Sequence, residues 1–369
     1  MKKLLFSVIL LFTCSKVWLQ PSSPRKIQLV ILFDTSNSMD GLIDQAKSRI
    51  WAIVNESSGL KYEGLSPNLE IAMYDYGNSS LSAESNFIRQ QIPFTTDLDL
   101  ISEKLFALRT NGGSEFCGAV IQKSLLDLNW SSDPRDLKMI YIAGNEPFTQ
   151  GPVDYRKACE LAVSKGIFIN TIHCGSYEQG VRDDWKNGAT CSKGDYFHIS
   201  SDERVQHIPT PFDDDINRLN LELNKTYLWY GQKGLEKGAK QKLEDSNALS
   251  QGVTVAAERS MVKSKSIYNN ASYDLVDAFK ADSTVVEKLK ESELPDELKN
   301  KSKAEQEQYV EQKQKERQDI QQQIQKLAVE REKFIQAEKS KQNSTKGKDD
   351  FGTAVSKSIK EKSKNLGFE

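Results

Sequence analysis

The chain has 369 residues, enough for one or two domains, and its 38% hydrophobic content is unevenly spread, with the deficit after about Tyr230. A formal net charge of −2, with Lys and Glu interspersed, excludes a nucleic-acid partner held by phosphate neutralisation, which would need a basic face.

Lys2-Lys3 followed by the apolar run Leu4 to Phe12 reads as a secretory signal over residues 1–20, cut after Ser15 or nearer Gln20. Leu11-Phe12-Thr13-Cys14 also resembles a lipoprotein signal, which would anchor the chain by lipid at Cys14. The expected location is outside the cytoplasm: periplasm, cell envelope or extracellular space. No later run approaches the ~20 apolar residues of a membrane span. Cys117, Cys159, Cys174 and Cys191 remain, and an even number in an oxidising compartment permits two disulfides in three connectivities, or buried thiols. The pairing expected here is Cys174 with Cys191, across the loop after the last long strand.

Lys26 to Asp34 is a β-branched and apolar run suited to a strand covered on both faces. Gly41 to Glu56 has a helical period. Leu69 to Tyr76 and Phe87 to Phe94 are expected to form a hairpin, and Leu98 to Leu108 and Phe116 to Leu128 to form helices either side of the loop Thr110 to Glu115. Leu137 to Ala143 is a strand, Val153 to Lys165 a helix, Ile167 to Ile172 a strand, and Tyr196 to Ile199 a short edge strand. Ile216, Leu219, Leu223, Tyr227 and Tyr230 mark a closing helix. Alternating strands and helices imply a doubly wound, mostly parallel α/β sheet, Rossmann-like in plan.

Residues 232–342 are Lys-, Glu- and Gln-rich and read as a helical tail without an independent core. Val310, Ile320, Ile324, Leu327 and Phe334 fall on a coiled-coil spacing, but Lys313, Arg317 and Arg331 share the seam, leaving self-association and a docked or solvated helix as alternatives. Residues 343–369 are expected to be disordered.

Asp34-Thr35-Ser36-Asn37-Ser38 stands where the first strand ends. A carboxylate and hydroxyls at alternate positions can converge on a hard cation, which requires oxygen; the plainer alternative is that they cap a helix. The glycine pair before Ser114 and Glu115 allows a close backbone approach to that point. These features resemble the von Willebrand factor type A (VWA) family over Lys26 to Gly231. In that family a strand delivers a DxSxS motif, here Asp34, Ser36 and Ser38, to a metal-ion-dependent adhesion site (MIDAS). The resemblance implies a cation, Mg²⁺ or else Mn²⁺ or Ca²⁺, and a further ligand from Ser114 or Glu115. The family's last Asp ligand is absent, Gly144 standing in its place, with Asn145, Glu146 or Glu115 as substitutes.

Two functions follow as expectations. The first is a non-enzymatic binding module that takes an acidic group of a protein or glycan partner at the metal. The second is a hydrolase-like enzyme using Glu115, Glu146 and His173, with a purely structural envelope component as a further alternative. Asp154 reads equally as a helix-start charge or a loop ligand.

Overall fold

The computed structural model describes residues 24–40, 43, 51, 53–199, 208–343 and 351–369. The expected signal, Cys14, most of the helix over residues 41–56 and His207 lie outside the described residues.

Six strands form one sheet in the order β3-β2-β1-β4-β5-β6. They are β1 (Lys26–Asp34), β2 (Asn68–Tyr76), β3 (Ile88–Thr95), β4 (Leu137–Gly144), β5 (Phe168–Cys174) and β6 (Tyr196–Ile199). All neighbours run parallel except β2 and β3, the expected hairpin, whose register is shifted at Met73. β1 lies between β2 and β4, which is why its sequence is apolar on both faces.

The two faces separate cleanly along β1. Ile27, Leu29, Ile31 and Phe33 join the core with α1 (Leu98–Ala107), while Val30 and Leu32 join the core with α2 (Cys117–Asp127) and α3 (Tyr155–Ser164). The second face also takes Trp185, fully buried at the start of α5 (Trp185–Thr190), which follows the short α4 (Tyr177–Arg182). The parallel order reverses direction of growth at β1 and β4, and the crevice beyond their carboxyl ends is where open sheets of this kind bind ligands.

The chain after the sheet is not a loose tail. α6 (Asp213–Asn224), α8 (Val253–Lys263), α11 (Lys303–Asn343) and α12 (Phe351–Lys364) contribute Ile216, Val262, Ile324 and Ile359 to the core of the first face. Between them come α7 (Gly231–Gln251), α9 (Leu275–Ala281) and α10 (Val285–Lys288), and Leu275, Phe279, Leu298 and Val310 make a small core of their own with Leu228. Docking is also ionic, and a composition read for apolar faces misses that part. Asp99 of α1 is fully buried and accepts from Arg259 at 2.8 Å and from the Tyr268 hydroxyl at 2.7 Å. Burial alone would raise the Asp99 pKa, but Arg259 and Lys237 outweigh it and hold the carboxyl below its ordinary value.

Two expectations are corrected here, and among the alternatives left open for the long helix the docked one is found. Residues 351–369 are ordered by packing: α12 buries Val355 and Ile359, Phe368 is buried against Tyr62, and Glu369 exchanges two backbone hydrogen bonds with Lys61. On α11 the seam charges are not breaks in a coiled coil. Arg317 and Arg331 recur every seven residues with Val310 and Ile324, and all four are buried against the chain's own carboxylates and apolar groups. Finally, Cys191 bonds Cys159, not Cys174. Cys174 ends β5 as a buried thiol within the first-face core, whereas Cys159 on α3 and Cys191 beside α5 meet over the second face.

Candidate metal centre at the carboxyl end of the sheet

Asp34, the last residue of β1, has no solvent exposure. Its Oδ1 accepts the Ser36 N–H at 2.8 Å, while Oδ2 is buried without a hydrogen-bond partner. The turn after it is a 3₁₀ helix, Asn37–Met39, and Ser36 at its start makes no side-chain cap. The hydroxyls are used sideways instead, so capping does not account for them. Ser36 Oγ lies 2.7 Å from Ser38 Oγ, and Ser38 Oγ donates to Asn145 Oδ1 at 2.8 Å. Asn145 Nδ2 returns a bond to the Ser38 carbonyl at 3.2 Å, tying the loop after β4 to the loop after β1.

The second loop is laced to the first through its backbone. Asn37 N–H donates to Gly112 O at 2.7 Å, and Asn111 N–H donates to Thr35 O at 3.0 Å. Gly112 sits at φ +53°, in the left-handed region that glycine tolerates without strain. At Gly113 a Cβ would overlap the Glu115 carboxylate and come within 2.6 Å of Ser36 Cβ. The absence of a side chain there is what lets Glu115 fold back beside Ser36, 6% exposed.

The electrostatics follow from this enclosure. Burial raises the Asp34 pKa to about 7 against the opposing hydrogen bonds of Ser36, and the charges of Glu115 and Glu146 push it the same way. Burial likewise raises Glu115, with Glu146 adding to it. Asp34, Ser36, Ser38, Glu115 and Asn145 thus converge as a set of hard oxygens. Ser114 is half-buried and, among the described residues, makes no hydrogen bond to them; Glu146 is half-buried, with its carbonyl accepting from Trp185 Nε1 at 2.8 Å. No group of three or more His, Cys, Asp or Glu with metal-holding geometry occurs among the described residues. The donors are mainly hydroxyl and amide oxygens.

Gly144 is explained by residues that local sequence does not nominate. A Cβ there would lie 2.6 Å from the Tyr76 hydroxyl, 3.0 Å from Trp185 Cη2 and 3.1 Å from Asp34 Oδ2. Tyr76 donates to Ala143 O at 3.1 Å, and Trp185 comes from a helix far along the chain. Their rings fill the space that an Asp side chain would need. A side chain at position 144 would therefore need Tyr76 or Trp185 to move.

The other nominated residues lie apart. His173 is fully buried, with Nδ1 3.2 Å from Ser176 O and its ring 5.7 Å from that of Trp185; among the described residues it makes no hydrogen bond to Glu115 or Glu146. Burial lowers its pKa, favouring the neutral ring. Asp154 caps α3, accepting the Arg156 N–H at 3.0 Å.

No family model and no curated protein matches this chain. Solved structures do. The chain is similar to a conserved hypothetical protein, BatB from Bacteroides thetaiotaomicron, at 17% identity over 47% of this chain and 90% of that one, with a TM-score of 0.35. It is similar to the SpRpn10 VWA domain at 16% identity over 52% and 94%, with a TM-score of 0.36. Proximal thread matrix protein 1 from the mussel byssus, with a zinc-occupied MIDAS motif, matches at 11% identity over 49% of this chain and 43% of that one, with a TM-score of 0.36. The fold itself is a six-stranded, mostly parallel α/β sheet in the order β3-β2-β1-β4-β5-β6. That sheet presents the Asp34 loop at the switch between β1 and β4, and no helix among the described residues is long and apolar enough to cross a membrane.

Proposed function

We propose that the chain is an exported binding module in which Asp34, Ser36, Ser38, Glu115 and Asn145 hold a divalent cation and present it to an acidic group of a partner. The observation that carries this is the buried, unpartnered Oδ2 of Asp34, beside Glu115 and with Glu146 acting on both. Such an oxygen requires a proton or a cation, and an all-oxygen set rich in hydroxyls suits Mg²⁺, with Mn²⁺ or Ca²⁺ as alternatives. When bound, the ion supplies an electrophilic coordination position for a carboxylate of a protein or glycan. The chain's own residues do the positioning: Gly113 gives Glu115 its path, Asn145 fixes Ser38, and Tyr76 with Trp185 seals the side at Gly144.

Glu115 takes the role that the family gives to the absent Asp, and Ser114 and Glu146 act at most from outside this set. The Cys159–Cys191 bond supports an oxidising compartment, and with it export to the periplasm, envelope or exterior. The hydrolase alternative gains no support, because His173 is tied to Ser176 and packed on Trp185. Calorimetric titration with Mn²⁺ and Mg²⁺ at pH 7.5 tests the reading: binding is expected in the wild type and lost in Asp34→Ala with its circular dichroism unchanged. A flat wild-type thermogram with both ions would sink it.

A further inference from the structure

Beside the Asp34 loop lies a cleft of about 340 Å³, within the range of small ligand sites. Its lining includes Arg89 and Gln91 of β3, Lys104 of α1, Arg109, and the amides of Asn78 and Asn111; none of its lining residues is acidic. The carboxylates around it are already engaged. Asp75 takes Arg89 in a two-pronged bond, Nε at 3.0 Å and Nη2 at 2.7 Å, and Glu103 is shared between Lys104 and Lys240. Asp40 accepts from Thr110.

Arg109 differs from its neighbours. Its Nη1 donates to the carbonyls of Phe106 at 3.0 Å and Leu108 at 2.9 Å, and no carboxylate among the described residues pairs with it. Two backbone carbonyls therefore hold an exposed guanidinium in place with donors to spare, the condition under which it takes a carboxylate at least entropic cost. The wall between cleft and metal centre is shared. Asn78 Nδ2 donates to Thr35 O at 3.3 Å and to Arg109 O at 3.1 Å, and Asn111 N–H also donates to Thr35 O, the residue after Asp34. Arg109 and Glu115 are two ends of one loop.

We propose that this cleft is a carboxylate subsite for an acidic peptide, whose one acidic side chain meets the Asp34 centre while a second is held by Arg109 and Lys104. It rests on the metal-centre reading for the first contact only. A peptide is favoured over a sugar acid because no aromatic ring lines the cleft to receive a sugar face, and because Arg89 and Gln91 lie on β3, an edge strand along which an extended chain can run.

The test uses the full chain and a fluorescein-labelled octapeptide of alternating Glu and Gly, followed by anisotropy in Mg²⁺ and in EDTA. Arg109→Ala is expected to weaken binding about tenfold and Lys104→Gln about threefold, Lys357→Gln on the exposed face of α12 serving as the control for general charge. Lys104 is half-exposed on α1, with its ammonium paired to Glu103, so its variant remains informative if Arg109→Ala misfolds. EDTA or Asp34→Ala should weaken binding while leaving the remainder sensitive to Arg109. Binding that ignores EDTA and Asp34→Ala yet falls in Arg109→Ala would support the subsite while removing the metal from the reading. Wild-type affinity in both cleft variants, equal loss in Lys357→Gln, no wild-type binding of the peptide, or tighter Arg109-dependent binding of oligogalacturonate would each overturn the proposal.

Discussion

Arg317 meets Asp274 with both terminal nitrogens, Nη1 at 2.6 Å from Oδ2 and Nη2 at 3.2 Å from Oδ1, and the two side chains are 5% and 0% exposed. Burial alone would lower the Arg317 pKa, but Asp274 and Asp277 raise it, so the guanidinium stays charged. Nε donates to the Thr226 hydroxyl and Nη2 to its carbonyl, which leaves the buried fork well satisfied. Removing one member of such a pair strands the other. Arg317→Met is therefore expected to cost about 3–5 kcal/mol in urea unfolding, with Arg317→Met/Asp274→Leu recovering most of it. A single variant within 1 kcal/mol of wild type would mean that α11 is not held this way.

The same seam predicts the behaviour of the helix by itself. Arg317 and Arg331 find their carboxylates on α6, α8 and α9 and near α9, not on a second copy of α11. A peptide of residues 303–343 should accordingly show weak helicity that does not change over a hundredfold dilution. Helicity rising with concentration would restore the self-association that the spacing of Val310, Ile320, Ile324, Leu327 and Phe334 suggested.

For the cysteines, thiol titration of residues 24–369, unfolded without reductant, should find two free groups, Cys117 and Cys174. Tryptic mapping should join Cys159 to Cys191. The bond closes a separation of 32 residues, for which the chain-entropy model gives roughly 3–4 kcal/mol. Four free thiols, or a peptide joining Cys174 to Cys191, would contradict the pairing.

What could be read in the sequence follows the range of the physics involved. Strand periodicity is local, so β1, β2, β4, β5 and β6 lie within a few residues of where the apolar runs put them, and the Asp34 loop follows from its place after β1. The partners of that loop are partly legible: the glycine pair announced a close approach, and Glu115 makes it. Tyr76, Trp185 and Asn78 are not legible, because their relation to Asp34 is set by sheet order and by a helix beyond β5. The docking of the tail was left open for a related reason. Its charged residues look solvated until Asp99, Asp213 and Asp274, distant in sequence, are brought against them.

Gly144 offers a test of the packing around the centre. Gly144→Ala should destabilise the chain by about 1–3 kcal/mol, since a methyl group must displace Tyr76 or Trp185. Tyr76→Phe in the same chain removes the nearest atom and should return part of that loss. Gly144→Asp is expected to unfold more readily still and to gain no affinity for Mn²⁺. Tighter Mn²⁺ binding by a stable Gly144→Asp would show that the rings yield.

The final prediction concerns pH at Asp34. Its folded pKa of about 7 stands above an unfolded value near ~3.9, so the folded state holds the proton more tightly. Without a cation, the stability contributed by this group is complete below the unfolded value and is lost as pH rises through about 7. A cation must displace that proton, so affinity for Mn²⁺ should climb about tenfold per unit below that point and level off above it. Glu115, also raised by burial, bends the curve in the same direction. Calorimetry at pH 5.5 in two buffers of different ionisation enthalpy should detect release of about one proton or more per ion, falling toward zero at pH 8.5. Asp34→Asn should abolish the proton release together with the binding, and should reduce the decline of metal-free stability across this range to the part that Glu115 contributes. Equal Mn²⁺ affinity at pH 5.5 and 8.5 would mean that the buried carboxylate is not among the ligands, and that the oxygen cluster closes on itself through Ser36, Ser38 and Asn145.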